Sequence, residues 1–110
     1  MVKYDNTFPD NPITIGQNAA DNDSIISAAK QNDLWFHLDK LPSPHVIICG
    51  DNPIDKQMIY YCAGLVKGRS KYKGISKVTV VYTEIKNVQK TDVAGKVMIK
   101  KERSVVVWNI

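Results

Sequence analysis

The chain is short of the residues that most catalytic chemistries and most membrane anchors require. Cysteine occurs twice, at Cys49 and Cys62, and histidine twice, at His37 and His45, with no C-x-x-C spacing. A tetrahedral zinc site takes four such donors. Here one would have to be assembled from His37, His45 and two of Asp33, Asp39 or Cys49, and nothing in their spacing enforces it. No metal and no cofactor is expected. Cys49 lies in an apolar segment and Cys62 on an apolar helical stripe. Buried free thiols are therefore expected rather than a disulfide, and with them a reducing, cytoplasmic compartment. No apolar run approaches the ~20 residues that span a bilayer. The opening residues Met1-Val-Lys-Tyr-Asp-Asn6 lack the apolar centre of a signal peptide. There is no G-x-S-x-G elbow, no P-loop and no paired glutamate to divide acid and base between two groups. His37 and Asp39, two residues apart, offer a tunable imidazole without a nucleophile. The expectation is a protein that is not an enzyme.

Acidic residues are missing from one half. The first sixty residues carry four lysines against eight aspartates, whereas the last fifty carry eleven basic residues against Glu84, Asp92 and Glu102. The formal charge of +4 thus hides a cationic second half. Its densest part is Lys67-Gly-Arg-Ser-Lys-Tyr-Lys-Gly-Ile-Ser-Lys77, with no acid until Glu84. Such a cluster is the footprint of a polyanionic partner, because each neutralised phosphate releases counterions. The plainer reading is a solvated loop whose lysines only aid solubility. Tyr72 and the two glycines tilt the balance toward binding, since they permit stacking and close backbone approach.

What is present suits one compact unit over residues 1–110: 44% of residues are hydrophobic, and no repeat, low-complexity tract or linker divides them. Short strands are expected over 3–8 and 12–15, joined by the turn Pro9-Asp-Asn11. A helix capped by Asn18 or Asp21 follows, running to about Lys30. The stretch Asp33-Leu-Trp-Phe-His-Leu-Asp39 alternates Leu34, Phe36 and Leu38 with Trp35, His37 and Asp39, the period of a half-buried strand. Pro42 and Pro44 end it, because neither can donate to a ladder, and Val46 to Cys49 reads as its partner. A second helix opens at Asp55 and stops at Gly68, with Met58, Ile59, Cys62, Leu65 and Val66 on one stripe. Strands over 78–85, 96–100 and 104–110 finish the chain, the last two joined as a hairpin through Lys101-Glu-Arg103, with 87–95 as a loop. The order ββαββαβββ argues for an α+β fold with two helices and a largely antiparallel sheet. Trp35, His37 and His45 then meet at one end of a strand pair, either as a recognition face or as an interior brace. We expect Trp35 to be largely structural, and His37 and His45 to be more exposed and more involved in binding.

Several blocks resemble, in order, the RNA-binding domain of the NFACT proteins (NFACT-R). Lys30-Gln-Asn-Asp-Leu-Trp-Phe-His37 is similar to its K-x-x-D-L-W-F-H core, and Pro44-His-Val46 to its P-G-S-H-V turn. Ile15-Gly-Gln-Asn18 resembles its GRNN turn, and Val80-Val-Tyr-Thr-Glu-Ile-Lys-Asn-Val-Gln-Lys90 its V-D-Y-T-x-x-K-N-V-K-K block. Cys62 to Ser70, Gly95-Lys-Val97 and Ser104-Val-Val-Val107 stand where the family has a helix, a closing hairpin and a terminal strand. The chain departs from the family at three points, carrying Gln17 for an arginine, Ser43-Pro44 for Gly-Ser, and Cys49 for an arginine. The family's N-terminal domain and coiled coils have no counterpart, so a stand-alone module is expected.

The resemblance implies contact with RNA, transfer or ribosomal RNA foremost, in translation or ribosome-associated quality control, with the ribosome as a possible larger partner. Trp35, His37 and His45 would supply stacking; Lys67, Arg69, Lys71, Lys73 and Lys77 would supply phosphate contacts, with Lys86, Asn87 and Lys90 on the following block. The competing class is a protein-interaction module that docks on a partner through an exposed strand edge such as 104–110.

Overall fold

A computed structural model describes residues 1–108. The alternating segments form a six-stranded sheet in the order β1-β2-β4-β3-β5-β8: β1 (Lys3–Asp5), β2 (Ile13–Gly16), β3 (Leu34–Leu38), β4 (His45–Ile48), β5 (Lys77–Glu84) and β8 (Arg103–Trp108). Every pairing in it is antiparallel. Two helices cross it. Helix α1 (Ala19–Ala28) is capped by Asn18, whose side chain accepts from the Asp21 amide, and α2 (Lys56–Gly68) by Asp55, which accepts from the Met58 amide. Each cap satisfies a donor that a helix start would leave orphaned. The fold is α+β, as the element pattern implied.

The sheet is covered on both faces. On one, Phe36, Leu38, Val46, Ile48, Val78 and Val80 close against Cys62, Ala63 and Val66 of α2. On the other, Trp35, Ile47 and Val81 meet Ile25 and Ile26 of α1, with Ile85, Val97 and Ile99 completing that smaller core. The alternation of β3 is therefore real, but its second face is not a wet one: Trp35 is 1% exposed. A strand that alternates aliphatic with amphipathic rings reads as half-buried until a second layer arrives from elsewhere in the chain.

That second layer corrects two expectations. The interval 87–95 is not a plain loop, since β6 (Val88–Lys90) follows a 3-10 turn (Ile85–Asn87) and pairs with β7 (Val97–Ile99). Nor do the last two strands form a hairpin: β7 pairs with β6, and β8 pairs with β5. Packing explains it. Val97 and Ile99 belong to the Trp35 core and Val105 and Val107 to the α2 core, so β7 and β8 serve opposite faces. The expected strand to Ile110 is described only to Trp108; its last two residues lie outside the described region. Cys62 is buried and Cys49 partly so, both as free thiols. Burial pushes the Cys62 thiol up to about 12, which leaves it unreactive.

Candidate nucleic-acid interface

The sheet end that carries His37 and His45 faces an open cleft of about 1320 Å³. Its floor is built by three rings. Register places His37 and His45 beside each other at the β3–β4 end, next to the paired Phe36 and Val46. Trp35 lies parallel to His37, with centroids 5.6 Å apart, and His45 stands perpendicular to both. The Trp35 indole N–H donates to His45 Nδ1 at 3.0 Å, which leaves the His45 proton on Nε2. His37 Nδ1 lies 2.6 Å from the Leu38 carbonyl, an acceptor only, so its proton is on Nδ1 and its Nε2 is bare. Burial, and then the neighbouring His37, pushes the His45 pKa down to about 3; burial lowers that of His37 as well. Both rings are neutral at physiological pH.

The walls follow from local sequence. Gly16 lets α1 approach, since a Cβ there would fall 2.1 Å from Asn22 Oδ1, the atom that accepts from the His45 amide at 3.2 Å. Opposite, Lys40 takes a left-handed φ of 59°, and the Ser43 hydroxyl accepts from Leu38 N and donates to the Pro44 carbonyl, which fixes the Pro42–Pro44 turn. The hairpin loop contributes Gly95 (φ 79°), pressed against Ala19, and Lys96. The basic loop after α2 contributes Arg69, Lys71 and Lys73. It is folded back by Lys67, whose side chain is buried and donates Nζ to the Lys73 carbonyl at 2.6 Å.

The predicted residues therefore separate into groups. Trp35, His37, His45, Arg69, Lys71 and Lys73 come together around the cleft. Lys67 spends its charge inside the fold. Lys77 is exposed beside the ring of Trp108, 5.2 Å from its centroid. Lys86, Asn87 and Lys90 lie elsewhere: Lys86 is paired with Glu84, Asn87 donates to Thr83 Oγ1, and Lys90 reaches Asp23 and the Ser27 hydroxyl. His45 is more deeply buried than expected, at 2% exposure. Sequence reasoning missed Lys40, Lys96 and Asn22, which only the packing of separate loops brings to the site. Away from the cleft, Asp33, Cys49 and Asp51 place donor atoms within 4.8 Å of one another. Their carboxylates already accept from Gly50 N, Lys30 N and the Lys30 ammonium.

Over residues 1–102 the sequence matches the family model described as the NFACT protein RNA binding domain. The chain belongs to this family. Coiled-coil domain-containing protein 25 of Bos taurus is 37% identical to this NFACT-R chain over 86 residues, 72% of the chain and 41% of that protein. The Rqc2 homolog RqcH of Bacillus subtilis is 35% identical over 79 residues, 71% of the chain and 14% of that protein. The chain thus spans less than half the length of these relatives. The solved C-terminal part of the fibronectin/fibrinogen-binding protein from Streptococcus suis superposes with a TM-score of 0.86 at 28% identity, over 97% of this chain and 44% of that one. Two of the departures from the family motifs fall at the cleft of this NFACT-R module: Gln17 and Ser43-Pro44 both line it. The third, Cys49, sits beside Asp33 and Asp51 and does not line the cleft.

Proposed function

We propose that this NFACT-R module binds RNA without catalysing a reaction on it, and that the cleft between the His37–His45 floor and the Arg69–Lys73 loop is the contact surface. The observation that carries this reading is the convergence, around one cleft, of the His37–His45 ring pair with exposed cations that make no close ion pair, although Asp39 and Glu102 also line the cleft. Among the described residues, side-chain ion pairs engage Lys30, Lys86 and Lys90, but none engages Arg69, Lys71, Lys73 or Lys96. Cations free of close ion pairs beside a half-buried imidazole, His37, suit single-stranded and looped RNA. A transfer or ribosomal RNA, met in the cytoplasm during translation or ribosome-associated quality control, is the ligand that best fits the family and the charge. No helix among the described residues is long and apolar enough to cross a membrane.

The test is binding to a structured RNA across a salt series. Affinity falls as salt rises, and the triple substitution Arg69→Ala, Lys71→Ala, Lys73→Ala lowers the log–log slope by about 2, at roughly 0.7 per lost phosphate contact to unpaired RNA. Equal slopes for the two proteins remove this loop from the interface.

A second reading rests on β8, whose outer edge pairs with no described strand and which exposes Trp108 at 63%. An edge strand with an exposed indole suits strand addition by a protein partner. Undiminished RNA affinity in the triple variant, together with loss of a protein partner on Trp108→Ala, would favour it.

A further inference from the structure

The floor of the cleft holds an unusual pair of polar atoms. His45 is 98% buried, yet its Nε2–H has no partner among the described residues; only Nδ1 is engaged, by the Trp35 indole. It is not sealed away, because no buried side-chain nitrogen or oxygen among the described residues lacks a partner and His45 lines the cleft. Beside it, His37 presents a bare Nε2, since its Nδ1–H is spent on the Leu38 carbonyl. The two ring centroids are 5.0 Å apart. One fixed donor and one fixed acceptor are therefore carried by neighbouring rings that both line the cleft. Each tautomer is imposed by the bond on the far side of its ring.

Charge is distributed differently. The cations that line the cleft, Lys40, Arg69, Lys71, Lys73 and Lys96, are all exposed, and outnumber the carboxylates Asp39 and Glu102 that line it with them. A phosphate is served by these solvated cations, which meet it at little desolvation cost. It is not served at the floor, where both imidazoles are neutral. A nucleobase edge has the opposite needs, with adjacent donor and acceptor groups, no charge and a flat face to lay against a ring. The volume, about 1320 Å³, exceeds the roughly 300–1,000 Å³ of ordinary small-ligand sites. There is room for a nucleotide together with the chain that flanks it.

We propose that the cleft receives one unpaired nucleotide of the RNA, its base edge on His45 Nε2–H and His37 Nε2 and its flanking phosphates on Arg69, Lys71, Lys73 and Lys96. This rests on the RNA reading above and narrows it: base pairing occupies the edge that the floor needs, so a continuous duplex is excluded from the floor.

The experiment pairs imidazole nitrogen NMR with titrations of the full 110-residue chain. Uridine 5′-monophosphate and adenosine 5′-monophosphate at millimolar concentration shift Nε2 of both His37 and His45, whereas ribose 5-phosphate, which carries the phosphate without a base, leaves them in place. A short single strand binds at least about tenfold tighter than the duplex of the same sequence, and His37→Ala weakens the single strand by about tenfold, as loss of one base contact does. His37 is half-buried and makes no side-chain bond to another strand, so this variant keeps its fold; a melting curve confirms that. Equal binding of duplex and single strand, or equal shifts from ribose 5-phosphate, overturns the nucleotide pocket and leaves RNA binding standing. Failure to bind any RNA overturns the functional reading, and the pocket with it.

Discussion

Replacing Trp35 with alanine tests whether the most conspicuous residue of the chain is a brace or a reader. Its ring is 1% exposed and lies between β3 and the Ile25–Ile26 stripe of α1. Aromatic side chains bury roughly 150–250 Å², worth about 4–6 kcal/mol at ~25 cal/mol per Å². Truncations of this kind cost about 3–5 kcal/mol once partial collapse of the cavity is included. The lost indole bond adds about 1 kcal/mol and leaves the buried Nδ1 of His45 without its donor. The sum, about 4–6 kcal/mol, is a large share of the ~5–15 kcal/mol that holds a domain together. The expected result is a fall in melting temperature of roughly 15–50 °C, at about 4–8 °C per kcal/mol for a domain near this size, or outright failure to fold. Trp35→Phe separates the two contributions. It keeps much of the apolar area and removes the donor, so it costs about 1–3 kcal/mol. Circular dichroism in urea reads both, since Trp108 remains to complicate fluorescence. A Trp35→Ala protein within about 1 kcal/mol of the parent would refute the bracing role.

Stability should fall with acid earlier than carboxylate protonation alone predicts. His45 drops from 6.5 to about 3 on folding, so its contribution is complete above pH 6.5 and is lost as pH falls through that window, by up to about 1.4 kcal/mol per pH unit. Urea midpoints at pH 7.5, 5.5 and 4.5 measure it, and a pH-independent midpoint would contradict the buried neutral imidazole. Gly16→Ala drives a Cβ into Asn22, 2.1 Å from its Oδ1 and 2.9 Å from its backbone nitrogen, and should cost about 1–3 kcal/mol by thermal melt. Lys86→Ala combined with Lys90→Ala should weaken RNA binding less than twofold at physiological salt, because both lysines are committed to Glu84 and Asp23. A tenfold loss would extend the interface to that face.

The parts of the fold readable in the sequence were those encoded locally. Asn18 and Asp55 mark their helices by side-chain chemistry, and the Leu34–Phe36–Leu38 alternation marks β3. What stayed hidden depends on contacts distant along the chain. Val97 and Val105 look alike as strand residues, and only the competition between two cores sends them to opposite faces. The same holds at the cleft. The Trp-Phe-His motif and the 67–77 run were visible, whereas the burial of Lys67 and the arrival of Lys96 depend on how two loops fold back. A lysine in a basic run looks like any other until one carbonyl, that of Lys73, takes its charge.

The six residues of β8 run along six of the eight residues of β5, from Lys77 opposite Trp108 to Tyr82 opposite Arg103. The family match stops at residue 102, just short of them. A fragment cut at that boundary would bare the edge of β5 from Lys77 to Tyr82, a stretch whose Val78, Val80, Val81 and Tyr82 are all buried and which contains no proline to blunt it. Such a flank recruits whatever strand it meets, including its own copies. β8 therefore works as a seal as well as a strand, and the physical limit of the module lies at least six residues beyond its sequence signature.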